Sequence, residues 1–238
     1  EASGGLVSGL VFDGDSERIA AGDGQGQFLS SQILIPILID HLTQVHGYSG
    51  EVIKTISGSN LIPKVAALHD LPLHETAVGY KYIADRMLES QALIGGEESG
   101  GVGYGHHIPE RDALLSALYV LEAVVKSGMD LSDRYRQLQE KTGYFSDYDR
   151  IDLPLPNMTI RDQLLQELQT NCPQTVAGKA VTHCLSIDGY KLTLADDSWL
   201  LIRFSGTEPV LRLYSEASTL EEVLKHLNCA KDWASAIG

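Results

Sequence analysis

Cationic side chains are in short supply in this sequence. Eighteen Lys and Arg stand against 32 Asp and Glu, for a formal net charge of −14. Such a chain gains no general attraction to a phosphate backbone, so nucleic acid is not an expected partner. Long apolar runs are missing as well. The longest, Ile33 to Ile39, contains Pro36 and falls far short of the roughly 20 residues a membrane helix requires. No membrane span or signal peptide is visible, and a soluble chain is expected. Cysteine is sparse: Cys172, Cys184 and Cys229 lie far apart, in neither a zinc pattern nor a CxxC pair. They are expected to be buried, reduced thiols of a cytosolic protein. There is no Ser-His-Asp elbow, no Walker loop and no complete GxGxxG. Gly103-Tyr104-Gly105 lacks both the third glycine and the strand before it.

What is present suffices for a folded chain. Of 238 residues, 43% are hydrophobic and 21% charged, enough to bury the core of one large domain or two ordinary ones. The chain begins at Glu1 rather than at a methionine, which suggests a fragment or a processed product. Leu6 to Phe12 reads as a short buried strand, followed at once by the acidic turn Asp13 to Glu17. Arg18 to Ala21 reads as a returning strand, and Asp23 to Gly26 as a turn. Ser30 or Ser31 is placed to cap a helix running to about Val45. Strands at 52–56 and 92–94 alternate with helices at 61–68 and 82–88, the pattern of a parallel α/β sheet. The segment 95–109 is rich in glycine and has no period, so a loop is expected. Helices follow at 113–125 and 131–141. Beyond Tyr144 the pattern becomes a helix at 159–168, strand-like runs at 180–187, 191–195, 200–204 and 211–217, and an amphipathic helix from about 220 to 234. This suggests a smaller α+β domain, with a boundary near residues 128–148.

Three segments carry the parts of a chemistry. Asp13, Asp15 and Glu17 alternate in a turn directly after a strand. In an extended loop they project to one side and would repel each other unless a hard divalent cation lay between them. A solvated acidic turn has the same spacing. Gly95-Gly96-Glu97-Glu98-Ser99-Gly100-Gly101 follows a strand end, where open α/β sheets place their ligands. There a carboxylate and a hydroxyl two residues apart match adjacent sugar hydroxyls, although a plain surface loop is compatible too. Arg203-Phe204-Ser205-Gly206-Thr207-Glu208-Pro209, with Arg212 close behind, combines a guanidinium, two hydroxyls and exposed backbone N–H groups. Those are the components of a phosphate site, in a protein otherwise acidic. A hairpin with incidental polar residues is the alternative. Lys81 stands at a helix start and His106 and His107 flank the glycine loop. Each is more often a surface or structural residue.

Taken together and in order, DGDSERIA (13–20), VGYKYI (78–83), GGEESGG with HIPERD (95–101 and 107–112) and RFSGTEPVLRLYSEA (203–217) resemble the loops of the α-D-phosphohexomutases. That family includes the phosphoglucomutases and phosphomannomutases, and the resemblance covers essentially the whole chain. It implies residues 1–24 as the end of domain 2 with the metal loop, and 25–147 as domain 3, a mixed α/β sheet, with its linker. Residues 148–238 would be domain 4, a smaller α+β domain of the TATA-binding-protein-like fold. It also implies that domain 1 and the start of domain 2, with the Ser-His-Asn-Pro-like phosphoserine loop, lie outside this segment. Ser57-Gly58-Ser59-Asn60 is not that loop.

By the same resemblance, Asp13, Asp15 and Glu17 match the magnesium ligands, Arg18 an active-site arginine and Lys81 a cleft lysine. Glu97 and Ser99 match the pair that holds the sugar hydroxyls, and His107 a histidine of glucomutase-like members. Arg203, Ser205, Gly206 and Thr207 match the phosphate loop, with Arg212 behind it. Glu17 departs from the usual aspartate by one C–C bond, roughly 1.5 Å. Gly101 replaces the histidine of many mannose-accepting members, which points to glucose. The implied activity is the interconversion of hexose 1-phosphate and hexose 6-phosphate through an enzyme phosphoserine and a bisphosphorylated intermediate. Glucose 1-phosphate, glucose 6-phosphate and glucose 1,6-bisphosphate are the expected partners, Mg2+ the cofactor and the cytoplasm the location. Alone, this segment is expected to be inactive. A phosphomannomutase or phosphoglucosamine mutase segment and a non-catalytic phosphosugar-binding module are the alternatives.

Overall fold

The computed structural model describes residues 7–206 and 208–237. The chain divides into two compact units that meet in sequence at Phe145 and Ser146.

The first unit opens with three short antiparallel strands, β1 (Gly9–Phe12), β2 (Ile19–Gly22) and β3 (Phe28–Leu29). Helix α1 (Ser31–His46) follows, then β4 (Glu51–Thr55), α2 (Leu61–Leu68), β5 (Leu73–Thr76), α3 (Tyr80–Glu89), β6 (Ala92–Gly96), β7 (Val102–Tyr104), α4 (Ala113–Ser127) and α5 (Leu131–Thr142). The four-stranded sheet has the order β5-β4-β6-β7, with β4 parallel to β5 and β6 and β7 antiparallel to β6. Val52 and Ile53 are consecutive and both fully buried, as a strand covered on both faces requires. Val52 packs in one cluster with Ile94 and with Leu34, Leu38 and Leu42 of α1, whereas Ile53 packs in another with Ile83 and Met87 of α3. Helix α1 is buried from Leu34 to Leu42 because α2, α4, α5 and strands of the sheets pack against it.

Three expectations are corrected here. The strand expected at 6–12 is described from Gly9 (Leu6 lies outside the described residues) and is not buried: Val11 is 57% exposed. Among the described residues it is an edge strand, bonded only to β2. The glycine-rich stretch 95–109 is not all loop, since β6 runs on to Gly96 and β7 pairs back along it. Glycines carry no side-chain period, so no alternation marked this strand. Ser30 occupies the position before α1 without a side-chain cap; the Ser31 hydroxyl instead donates to the Glu98 carbonyl at 2.7 Å.

In the second unit β8 (Asp147–Pro154) precedes α6 (Met158–Thr170). The short β9 (Thr175–Val176), β10 (Lys179–Leu185), β11 (Tyr190–Leu194), β12 (Trp199–Phe204), β13 (Val210–Ala217) and α7 (Leu220–Ile237) follow. All six strands form one antiparallel sheet in the order β8-β13-β12-β11-β10-β9. Leu200, Ile202, Leu211 and Leu213 join Leu164 of α6 and Val223 and Leu227 of α7 in its core. The Asn157 side chain caps α6 by accepting from Ile160 N–H at 3.0 Å. The cysteines are not buried as expected: Cys184 is exposed and Cys172 and Cys229 are half-buried. Cys184 lies on β10, most of whose residues are uncovered, and its sulfur is 3.4 Å from that of Cys172. No helix among the described residues is long and apolar enough to cross a membrane.

Candidate functional site

The acidic turn between β1 and β2 is built around Asp13. One carboxylate oxygen accepts from the backbone N–H of Glu17 at 2.9 Å and of Arg18 at 3.0 Å, and the other from Arg18 Nε at 2.5 Å. Ser16, at φ 59°, turns the chain back and donates its N–H to the Asp13 carbonyl at 3.2 Å. The three acidic side chains are not gathered as their spacing suggested. Among the described residues, only a different trio brings three ligating atoms within 4.8 Å of one another. Each of two carboxylates faces a guanidinium group instead: Asp13 pairs with Arg18 and Glu17 with Arg111. The donors nonetheless suit a hard divalent cation, being carboxylate oxygens on one short turn, with Asp13 held in its ionised form.

Hydrogen bonding by the Arg18 side chain is the main cause that lowers the Asp13 carboxyl from 3.8 to about 2. A depressed carboxylate contributes stability that is complete above its ordinary value and fades as pH falls through the folded one. Turn order should therefore persist down to about pH 4 and decay toward pH 2. In a carbon-13 NMR titration of the side-chain carboxyl, the midpoint of Asp13 should lie near 2. In Arg18→Ala it should move up toward 3.8; an unmoved midpoint would mean that Arg18 is not the partner.

The candidate sugar turn joins β6 to β7. Glu97 N–H donates to the Gly101 carbonyl at 2.9 Å and Gly100 N–H to the Glu97 carbonyl at 3.2 Å. The Glu97 side chain is buried and Ser99 is exposed. Gly100 has φ 110°, and a Cβ there would stand 2.9 Å from the Ile19 carbonyl oxygen, so only glycine fits. That closeness has a purpose: Ile19 N–H donates to the Gly100 carbonyl at 3.0 Å, and Arg18 forms a β-bridge with Gly101. The acidic turn and the sugar turn are thus one hydrogen-bonded assembly. Arg111 spans it, paired with Glu17 and lying over the Tyr80 ring at 5.4 Å. A side chain at Gly101 would meet Arg111 Cδ at 2.7 Å. The floor beneath is polar, with Ser57 donating to Glu98 Oε2 at 2.6 Å and the Gln32 amide bonded to Ser57 O and Ser59 N–H. Arg111 lay in the HIPERD segment but was not singled out as a site residue. Its role depends on pairing across the fold, and its charge in an acidic chain was the available signal.

Lys81 is exposed on the first turn of α3, at the same C-terminal edge of the parallel strands. Its ammonium lies 4.7 Å from the centre of the neighbouring Tyr82 ring, and the structure gives it no contact with the sugar turn. His107 bonds Asp112 at 3.1 Å, at the start of α4, rather than the sugar turn.

In the second unit, Arg203 and Arg212 are directly opposed on β12 and β13, so both guanidinium groups rise from one face. Arg203 Nε donates to Asp188 at 2.8 Å. Gly189 makes that possible: at φ 83°, a Cβ on it would lie 2.4 Å from the Ile202 carbonyl oxygen. Arg212 is 3.9 Å from Asp152, its register partner on β8. The buried Ser205 N–H closes the hairpin on the Val210 carbonyl at 3.0 Å, and Ser205 Oγ accepts from Glu208 N–H at 3.2 Å. Arg161 of α6 donates to the Ser205 carbonyl at 2.9 Å. It lines a cleft of about 290 Å³ with Asp188, Gly189 and Phe204. Gly206 follows at the tip, and Thr207 lies outside the described residues. Arg161 and Asp188 were not anticipated, because neither belongs to a local pattern.

The family model for phosphoglucomutase/phosphomannomutase alpha/beta/alpha domain III matches residues 30–142, and that for the C-terminal domain of the same family matches residues 165–227. A phosphoglucomutase/phosphomannomutase of Thermococcus kodakarensis is 29% identical over 94% of this chain and 46% of its own length. A phosphoglucosamine mutase of Moorella thermoacetica is 27% identical over 92% and 45%. The chain therefore spans about half the length of the curated relatives it matches. Among solved structures, a provisionally assigned phosphomannomutase of Thermus thermophilus superposes with a TM-score of 0.80 at 28% identity, over 95% of this chain and 45% of that one. The Aspergillus fumigatus N-acetylphosphoglucosamine mutase, solved with GlcNAc-6P and magnesium, shares the fold at a TM-score of 0.65 and 13% identity, over 100% and 53%. The mixed α/β architecture of both units is that of these enzymes. The chain belongs to the phosphoglucomutase/phosphomannomutase family, of which it carries domain III and the C-terminal domain.

Proposed function

We propose that this chain is the sugar-orienting and phosphate-gripping part of a phosphohexomutase, which interconverts hexose 1-phosphate and hexose 6-phosphate. The observation that carries this reading is the direct backbone pairing of the acidic turn with the sugar turn, in which Ile19 N–H donates to the Gly100 carbonyl and Arg18 stands opposite Gly101 in a β-bridge. A transferring phosphoryl group at the first and a sugar hydroxyl at the second would be adjacent by construction. Glu97 and Ser99 accept and donate to neighbouring ring hydroxyls and set which end of the sugar faces the acidic turn. Arg18 and Arg111 carry positive charge to the reacting phosphate. Arg203, Ser205, Gly206 and Arg212 hold the phosphate that does not react, and its binding energy positions the one that does. Asp13, Asp15 and Glu17 would hold a magnesium ion, which when bound supplies a positive charge against the transferring phosphoryl oxygens.

Several curated relatives are phosphoglucosamine mutases, which favours an amino sugar as the second reading beside glucose. These 238 residues contain no Ser-His-Asn-Pro-like loop, so the phosphoserine must come from outside them. Purified alone, the chain should show no conversion of glucose 1-phosphate or glucosamine 1-phosphate above a buffer control, while still binding either. Turnover that co-purifies with the chain through successive columns would sink this assignment of parts.

A further inference from the structure

Away from the loops just described, the far end of α1 carries a group of ligating side chains that the proposed reaction does not use. His41 and His46 of α1 and Glu122 of α4 bring their ligating atoms within 4.8 Å of one another. His41 Nε2 is 2.9 Å and His46 Nε2 2.7 Å from the same oxygen, Glu122 Oε2. Helix α1 begins at Ser31, bonded to the sugar turn through Glu98. At about 1.5 Å per residue, His46 lies about 22 Å along the helix from there.

We propose that His41, His46 and Glu122 form a binding site for a first-row divalent transition ion of the zinc class. The donor set decides the class. Two imidazole nitrogens and one carboxylate suit zinc and its neighbours, whereas magnesium and calcium take oxygen ligands. Three protein ligands with a fourth position left to water is an ordinary zinc arrangement. The ligands stand on two helices packed against each other in the core, so the site is held by rigid elements rather than by a loop. His41 is 2% exposed, while His46 and Glu122 are 26% and 32% exposed, so the site has a fixed inner wall and an open outer side. Stacking on Tyr48 at 5.1 Å and an edge contact with Tyr119 at 5.6 Å fix the His46 ring.

Metal–nitrogen bonds of about 2.0–2.1 Å in a tetrahedron separate ligand atoms by about 3.3 Å. The two pairs therefore need to open by only about 0.5 Å from their present spacing. On binding, each neutral imidazole presents the Nε2 lone pair and carries its proton on Nδ1; no electron transfer is involved. The ion would clamp the end of α1 to α4.

The test is a titration of the full chain with Zn2+ alone, followed by calorimetry. It uses a Cys172→Ser, Cys184→Ser background so that the close thiol pair cannot compete. One ion per chain should bind. His46→Ala and Glu122→Gln should each weaken it by about 10-fold or more, since even a lost outer partner of a metal ligand costs about 10- to 100-fold. Asp15→Ala, in the acidic turn, should leave this binding unchanged, and Mg2+ should not displace Zn2+. Circular dichroism of each variant confirms that it is folded. Co2+ in place of Zn2+ should give the visible absorption of a low-coordinate site. Unchanged affinity in a folded His46→Ala, displacement by Mg2+, or loss of binding in Asp15→Ala would overturn the site.

Discussion

Replacing Arg203 by alanine is expected to weaken glucose 6-phosphate binding by about 10- to 150-fold. That range follows from the roughly 1.5–3 kcal/mol carried by a charged hydrogen bond. Three observations support so large an effect. The Arg203 side chain is only 18% exposed, so solvent screens it little. Its Nε is pinned by Asp188 at 2.8 Å, which fixes the fork before ligand arrives and reduces the entropy lost on binding. It stands directly across from Arg212, and two adjacent guanidinium groups in a chain of net charge −14 are stabilised by an anion between them. Ser205→Ala removes a neutral contact and should cost about 0.5–1.5 kcal/mol, or about 2- to 12-fold. Calorimetric titration of both variants measures the ratio; equal losses would remove Arg203 from its leading role.

The second large effect concerns stability beneath the sugar turn. Lys54 of β4 is fully buried, and its ammonium lies 2.6 Å from Glu75 Oε1 on the neighbouring β5. It also donates to the carbonyls of Thr55 at 3.2 Å and Gly58 at 3.0 Å, fixing the loop whose Ser57 supports Glu98. Glu75→Gln leaves a buried ammonium without its counter-charge, which typically costs about 3–5 kcal/mol. Because Glu75 is 30% exposed, water offsets part of that loss and about 3 kcal/mol is expected. Amide hydrogen exchange of Ile53 and Thr55 should then quicken by roughly 100-fold. The double variant Lys54→Met, Glu75→Leu removes both charges and should recover most of the loss. A double variant no better than Glu75→Gln would show that the pair contributes through packing rather than charge.

Helix ends and the loop motifs were legible in the sequence, because both depend on neighbours in the chain. Leu61–Leu68 and Leu131–Thr142 carry helical periodicity, and Gly143 ends the latter in a left-handed conformation. The strand-like runs at 200–204 and 211–217 were equally clear, so the hairpin holding Ser205 could be placed. By contrast β5 and β8 were not identified. Each is mostly polar, β5 having Leu73 as its one apolar residue, and β8 gives only Ile151 and Leu153 to the core. The site's cross-links were the least accessible part. Glu17 with Arg111, Arg203 with Asp188, and Arg161 with Ser205 join residues that only the fold brings together. The spacing of the three carboxylates in the acidic turn left a metal site and a solvated turn both open, and their pairing with Arg18 and Arg111 was not legible in it.

The measurement that bears most directly on the proposed function is an NMR titration of this chain with three ligands: glucose 6-phosphate, inorganic phosphate and free glucose. Glucose 6-phosphate should shift the amides of Ser205 and Gly206. Inorganic phosphate should shift the hairpin amides at 205 and 206, and free glucose should shift neither amide, since the phosphate is the main anchor. Arg203→Ala should move the midpoint of the response to about 10- to 150-fold higher glucose 6-phosphate. Equal shifts with glucose and glucose 6-phosphate, or a hairpin that responds to neither phosphate, would contradict the assignment of this chain as the part that grips a hexose phosphate.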